Sequence, residues 1–467
     1  MIAPPKKIAI IGGGISGLSL AYRLNKLNTS NLDIRLYEKS DQLGGVIQTE
    51  EYNGFIIEKG PDGFIQQKTT VQELAKELKI DHELITTKSQ NRRSMILQNN
   101  KLVEVPDGFY LMSPSKIKPF LKSPLLSWKG KIRTLLEAFV PAKKTDDEES
   151  LADFVRRRFG KENLDKISQA MLGGIYTSDP EHLSMQAALP RFSEMEKKHG
   201  SVTNGIIKSM AHQKDVSGAR YGLFGTFRPG MRLLTQTLVQ NIPQECLLTR
   251  SNIEKIHFNE NNRTWQLLAN GREEVFDTVC FAIAPHSIAG MMHHLSTEEK
   301  MLLQSIPYAS SAILNFAFKN QQIKAKPAAV GFIVPHRENK HFIACSFTSD
   351  KYDHRTPEGY TLLRIFAGGA LQEHLLHKPA QELRTTILAE ISQILQIEGD
   401  PVFDDFAIWP KSMPQYTLGH LKRVEKIKKL FQQFPSCHLI GNAYSGVGIP
   451  DLLEQSNALA HQLVQSI

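Results

Sequence analysis

Apolar and polar positions along this chain keep two rhythms, and the changes between them mark the elements. Ile8, Ile10 and Ile11 form a β-branched apolar run that predicts a buried parallel strand. Leu18, Ala21 and Leu24 then recur at helical spacing, which predicts an amphipathic helix. A second strand is expected at 34–37. Alternating segments at 46–50 and 55–58 flank Asn53-Gly54, a hairpin turn signal. Val71, Leu74, Ala75 and Leu78 predict a helix over 69–78. Prolines 106, 114, 119 and 124 open a stretch with helical patterns at 129–140 and 150–159. The charged residues 141–150 between them read as a solvated loop ending in a helix cap at Ser150. Alternation of strands and helices returns at 228–290, with a helix at 231–239 and strands at 246–256, 264–268 and 279–284. Further strands are expected at 311–318, 342–347 and 360–366, followed by a helix at 379–395. The chain closes with a strand at 438–442, a glycine loop and a helix at 451–464.

The junction of first strand and first helix carries chemistry. Gly12, Gly14 and Gly17 make G-x-G-x-x-G, with Gly13, Ile15 and Ser16 between them. Gly12 permits the tight turn, Gly14 lets backbone approach a pyrophosphate, and Gly17 allows close helix–strand packing. The helix N-terminus presents unpaired N–H groups and partial positive charge to phosphate. Glu38 ends the second strand about twenty residues on, where a ribose-binding carboxylate is expected. A dinucleotide site follows. No second such motif follows a strand, so one dinucleotide is expected.

The bulk properties narrow the classes. At 467 residues the chain has room for two or three domains. No apolar run reaches the roughly 18 residues of a membrane-spanning helix. The first strand starts at once, so neither a signal nor a transit peptide is expected. Four widely spaced cysteines form no C-x-x-C, which argues against disulfides and zinc and fits a reducing cytoplasm. The net charge of +8 suits an anionic substrate or an anionic membrane face. Basic clusters lack a nucleic-acid motif, so no nucleic acid partner is expected.

Gly12 to Gly17, continued through Tyr37-Glu38-Lys39 and Leu43-Gly44-Gly45, resembles the FAD domain of the flavin amine oxidase superfamily. So does the terminal run from Gly441 to Pro450. Within that superfamily, three further segments resemble the oxygen-dependent porphyrinogen oxidases, acting on protoporphyrinogen or coproporphyrinogen. They are Gly60-Pro61-Asp62-Gly63-Phe64, Gly173 to Pro180 with Leu183-Ser184, and Trp409-Pro410 with Met413 to His420.

The resemblance implies an α/β fold with α+β insertions. Its parts are an FAD-binding Rossmann-like domain of the p-hydroxybenzoate-hydroxylase type, a mixed-sheet substrate domain and a helical insertion. The FAD domain is expected to be discontinuous, from 1–88, 228–295 and 432–467. The substrate domain would comprise 89–105, 212–227 and 296–431. Residues 106–211 would be helical and membrane-associating, on the cytoplasmic membrane face; a homodimer is a further expectation. The implied reaction removes six electrons from protoporphyrinogen IX or coproporphyrinogen III, with molecular oxygen as acceptor. The two substrates stay undecided, because they differ only in two propionates against two vinyls. The rival readings are an amine or polyene oxidase of the same superfamily and a non-catalytic escort protein of flavin fold.

Residue by residue, the resemblance puts Gly12, Gly14 and Gly17 on the pyrophosphate and Glu38 on the ribose, with Gly13, Ile15, Ser16 and Lys39 also on the cofactor. Gly60, Pro61, Asp62 and Trp409 fall near the isoalloxazine, with Gly45, Val46 and Gly63 also on the cofactor; Val46 stands where relatives often carry a basic residue. The Ile253 backbone would meet adenine, and Val447, Gly448 and Ile449 the ring edge. Arg93, next to Arg92, and Lys68 are the candidate cations for substrate propionates, since cations pair with carboxylate. Gly174 and Ile175 would line the substrate pocket. No general base is assigned: Asp179 reads as a turn residue before Pro180, and His420 as structural.

Overall fold

The computed structural model describes residues 4–27, 32–91, 93–211 and 224–465. Its first sheet is parallel and five-stranded, in the order Leu247–Leu248, Leu32–Tyr37, Lys6–Ile11, Thr278–Phe281 and Cys437–Leu439. The central strand is buried from Ile8 onward because helices cover one face and a second sheet the other. Helices Ile15–Leu27, Thr70–Glu77, Arg232–Gln240 and Ile449–Gln465 send their apolar residues to the first face. The antiparallel sheet Ile253–Asn259, Thr264–Ala269 and Arg272–Phe276 packs on the other, with Trp265 at its centre.

A seven-stranded mixed sheet forms the second core. Its order is Phe403–Pro414, Tyr308–Lys319, Tyr360–Gly368, Ala344–Phe347, Gly331–Ile333, Met95–Gln98 and Lys101–Glu104. Gly331–Ile333 pairs parallel to Met95–Gln98, and the other pairings are antiparallel. Helix Ala380–Leu395 buries Leu383, Ile387, Ile391 and Leu395 against it. Strand Phe224–Phe227 joins neither large sheet; it pairs with Phe64–Ile65 and Leu84–Thr86.

Helices between Ile117–Lys122 and Val202–Ala211 make a third core, which also takes in Tyr416 from the far end of the chain. A π-helical turn, Leu164–Ser168, runs into helix Gln169–Tyr176.

Several expected elements are shorter than their patterns, each for a local reason. The strand expected at 46–50 begins only at Thr49, because Ile47 donates its N–H to Gly44 at 3.2 Å in a turn. The strand expected at 246–256 splits into two sheets, because Arg250 and Ser251 donate their N–H groups back to Ser40 and Glu38 at 2.8 Å each. The charged loop 141–150 is more than solvated. Glu148 accepts from Ser184 Oγ at 2.5 Å and from the Gly419 N–H at 2.6 Å, so it pins two distant segments. Ser150 caps helix Leu151–Phe159 through the Asp153 N–H.

Candidate active site

The glycine turn sits at the carboxyl ends of the parallel strands. Gly12 has φ +109°, and a Cβ there would lie 2.6 Å from Ala282 O. A Cβ on Gly17 would lie 1.9 Å from Gly12 O, so this glycine sets how closely helix approaches strand. A Cβ on Gly14 meets nothing within 4 Å; it points into open space. The Leu43-Gly44-Gly45 segment lies alongside: Gly44 donates its N–H to Gly13 O at 2.8 Å, and a Cβ on Gly45 would stand 3.1 Å from Gly14 Cα. Glu38 closes the cradle. Its carboxylate accepts from the Gly13 N–H at 2.8 Å and from Ser40 N and Oγ at 2.9 and 2.8 Å. A carboxylate offers about four lone pairs; one remains for a ribose hydroxyl.

Ile15 and Ser16 are buried at the start of the first helix, and Ser16 O accepts from Ser456 Oγ of the last helix at 2.9 Å. Ile253 is buried at the head of its strand, beside the Ser251–Glu38 contact. Lys39 lines a cleft of about 650 Å³ with Ile283, His286, Glu373 and Lys411.

The loop from Gly60 to Gly63 lies against this cradle. A Cβ on Gly60 would fall 1.6 Å from Val46 O, and one on Gly63 would fall 2.6 Å from the Tyr352 hydroxyl. Trp409 Nε1 donates to Lys59 O at 2.5 Å, which ties the long strand of the mixed sheet to the loop. Asp62 accepts from Lys351 Nζ at 2.7 Å and faces Arg364 at 3.5 Å. Burial alone would raise the Asp62 carboxyl, but these cations hold it well below the usual carboxylate range.

On the other side, the terminal glycine motif is tied to two distant segments. Ser178 Oγ donates to Gln415 Oε1 at 2.5 Å, and Tyr416 donates its hydroxyl to Asn442 O at 2.6 Å. Ser184 N–H donates to Tyr416 O at 2.8 Å. Three motifs, one of them 237 residues from the next, therefore form one wall. Gly448 donates its N–H to Asp451 Oδ2 at 3.0 Å, Ile449 opens the last helix, and Val447 touches the helical core.

Both expected substrate cations are ion-paired within the protein. Lys68 Nζ is paired to Asp451 at 2.5 Å and Glu454 at 2.7 Å, so it links the 60–68 segment to the last helix. Arg93 is exposed and lies 3.5 Å from Glu104. Arg92 falls outside the described residues. The backbone of Gly174 and Ile175 lies in helix Gln169–Tyr176, and their side chains are outside the described residues. Asp179 accepts from the Glu181 N–H at 2.9 Å and meets His182 Nδ1 at 2.9 Å, as a turn residue does. His420 is buried and stacks on Tyr416 at 4.0 Å between centroids, with neither ring nitrogen hydrogen-bonded. Burial, helped by Arg423, lowers it to about 4, so it is neutral at physiological pH.

Residue types alone did not single out Lys351, Arg355 and Arg364. Lys351 lies 289 residues from Asp62, and no local pattern announces the pairing.

A bound flavin dinucleotide fits these residues: open space faces Gly14 and Gly441, an acceptor-only carboxylate ends the second strand, and two helices begin at the cradle.

Comparison with known proteins agrees. The model of the family described as flavin containing amine oxidoreductase matches residues 15–461. The chain is 32% identical to the coproporphyrinogen III oxidase of Bacillus subtilis (strain 168) over 464 residues, covering 97% of each. It is 29% identical to that of Staphylococcus aureus (strain NCTC 8325 / PS 47), covering 99% of this chain and 100% of the relative. In fold it is similar to a crystal structure from Exiguobacterium sp. 255-15, provisionally named a protoporphyrinogen oxidase. The TM-score is 0.88 at 24% identity, covering 100% of both chains.

Proposed function

The chain belongs to the flavin containing amine oxidoreductase family, and from that premise we propose that it is an FAD-dependent porphyrinogen oxidase of haem biosynthesis. Its substrate is coproporphyrinogen III, from which six electrons and six protons are removed to give coproporphyrin III, with oxygen as terminal acceptor. The observation that carries this reading is the wall joining Ser178, Gln415, Tyr416 and Asn442 beside the glycine cradle. Full-length likeness to two coproporphyrinogen III oxidases supports the choice of substrate. A chain of net charge +8 also favours the tetracarboxylate over the dicarboxylate.

Bound FAD supplies two-electron acceptance, used three times per macrocycle. The chain supplies position. Gly12, Gly14 and the first helix hold the pyrophosphate, Glu38 holds a ribose hydroxyl, and the 60–63 loop with Trp409 holds the ring in register. His420 is neutral and buried, and its role is to support Tyr416.

The test is aerobic porphyrin fluorescence with each porphyrinogen supplied separately, against enzyme-free autoxidation. We expect faster turnover of coproporphyrinogen III. Faster turnover of protoporphyrinogen IX reverses the substrate choice, and no acceleration with either one in flavin-loaded protein overturns the reading. Gly14→Val tests the cofactor site: the side chain enters open space, so the protein folds and binds no flavin.

We also propose contact with a lipid surface. Trp128, Ile132, Leu136 and Phe139 stand exposed at helical spacing, Phe139 by 82%, beside exposed Lys118, Lys122 and Lys129. Among the described residues no helix is long and apolar enough to cross a membrane. Co-sedimentation with phosphatidylglycerol vesicles, lost in Phe139→Ser, supports the contact; equal sedimentation of both proteins removes it.

A further inference from the structure

The mixed sheet and the connection between its strands Ala344–Phe347 and Tyr360–Gly368 deliver three cations to the back of the 60–63 loop. Lys351 pairs with Asp62. Arg364 donates Nε to Glu58 O at 3.2 Å and Nη2 to Gly60 O, and its Nη1 faces Asp62 at 3.5 Å. Arg355 donates Nη2 to Thr226 Oγ1 at 2.8 Å and to Phe227 O at 3.1 Å, with Nη1 3.6 Å from Glu58. Glu58 is buried and accepts from Thr49 Oγ1 at 2.6 Å and the Met231 N–H at 2.8 Å.

The charges do not cancel. Three cations meet two carboxylates, an excess of one positive charge. Burial raises the Glu58 carboxyl, and a proton on it only enlarges the excess. Of the surrounding ions, Lys88 pairs with Asp353 and Lys326 with Asp350, while Lys59 meets both Glu50 and Asp405. The surplus negative charge of that group sits at the surface, where Glu50 is half exposed and solvent screens it, so the excess is that of the inner cluster alone. Pairing inside the cluster is also incomplete. Arg355 Nε and Nη1 and the Tyr352 hydroxyl are buried without hydrogen-bond partners. An arrangement so poorly satisfied does little for stability. Its field, in a water-poor interior, acts strongly on whatever lies against the loop.

The loop lies between this cluster and the cradle. Gly60 packs on Val46, and Gly45 packs on Gly14. We propose that Lys351, Arg355 and Arg364 are positioning residues for the 60–63 loop and that their excess positive charge biases the bound flavin toward its reduced form. The bias favours loading electrons from the macrocycle. This inference rests on the FAD reading above.

Two variants with opposite charge changes test it. Flavin content is measured first, then the two-electron midpoint potential of the holoenzyme, Lys351→Met, Lys351→Arg and Asp62→Asn. Lys351→Met removes a positive charge, and we expect the equilibrium to move about tenfold toward the oxidised form, ~30 mV lower. Asp62→Asn removes a negative charge and moves it in the opposite direction. Lys351→Arg restores the parent value. A loop that is merely loosened would shift both charge-removing variants the same way. Shifts of equal sign, or none in either, overturn the inference and leave the cofactor reading intact. Wild-type protein that takes up no flavin overturns the cofactor reading itself. If one variant misfolds, the other still overturns the inference by shifting against its expected sign or not at all.

Discussion

The helical region and the cofactor-facing loop each bury a group of charges, and the two groups are built differently. In the helical region Arg158 uses every donor: Nε and Nη2 on Glu137, Nη1 on Glu196 and Val140 O, and Nη2 on Gly200 O. Glu137 in turn accepts from Ser201 Oγ at 2.7 Å and from the Val202 and Thr203 N–H groups at 2.9 and 3.2 Å, closing the N-terminus of helix Val202–Ala211. Nothing is left over for a ligand. Behind the 60–63 loop, Arg355 has two idle nitrogens, Tyr352 an idle hydroxyl, and the inner cluster holds three cations against two carboxylates. Saturated charge frames a fold. Unsaturated charge beside a ligand cradle is kept at some cost to stability, and the proposed role of the cluster rests on that difference.

Truncating one arginine in each group should separate them most clearly. Arg158→Met leaves Glu137 buried and unpaired, so urea titration should show a loss of about 3–5 kcal/mol. Arg355→Met removes idle donors along with two hydrogen bonds, and its loss should be on the order of 1 kcal/mol. Equal losses would erase the distinction.

His420 sharpens the comparison next, as a buried group with no hydrogen bond at all. Its folded-state value is lowered to about 4. Between the ordinary histidine value of roughly 6.5 and 4, the unfolded chain takes up a proton that the folded protein does not, so stability falls as pH drops. That term is roughly 2 kcal/mol between pH 7 and pH 5. His420→Phe keeps the stack on Tyr416 and should lose that part of the pH dependence. An unchanged pH profile would show that the ring is hydrated.

The smallest effect contrasts the two glutamates. Burial opposes ionisation of Glu137, but Ser201, Thr203 and Arg158 hold it low, so its contribution is present above the usual glutamate range and is lost as pH falls through the folded value. Glu58 is raised by burial despite Arg355, so the folded protein holds a proton that the unfolded chain has released, and stability declines as pH rises through that window. Glu137→Gln should therefore be most damaging at neutral pH. Glu58→Gln should be best tolerated there. Thermal unfolding of both at pH 4 and pH 7 checks the opposite signs.

Much of the cradle is legible in the order of residues alone. The strand–glycine–helix junction is local: Gly12, Gly14 and Gly17 act within one turn, and the carboxylate of Glu38 ends the next strand. The Asn53-Gly54 hairpin is equally local, with both residues at positive φ. Periodicity predicts helices Thr70–Glu77, Leu151–Phe159 and Ala380–Leu395 to within a residue or two, because apolar spacing specifies them, with a side-chain cap at Ser150 in the second. The sequence by itself therefore determined the dinucleotide cradle and the kind of fold around it.

Tertiary structure alone decided which charges meet. Lys68 carries no mark of its partners in the sequence and is claimed by Asp451 and Glu454, while Lys351, at the end of helix Thr348–Lys351, and Arg364, on the mixed sheet, reach Asp62 without any motif. A lysine's residue type says only that it carries charge. Which carboxylate it meets, and whether the sum is zero, follows from chain segments hundreds of residues apart arriving at one place.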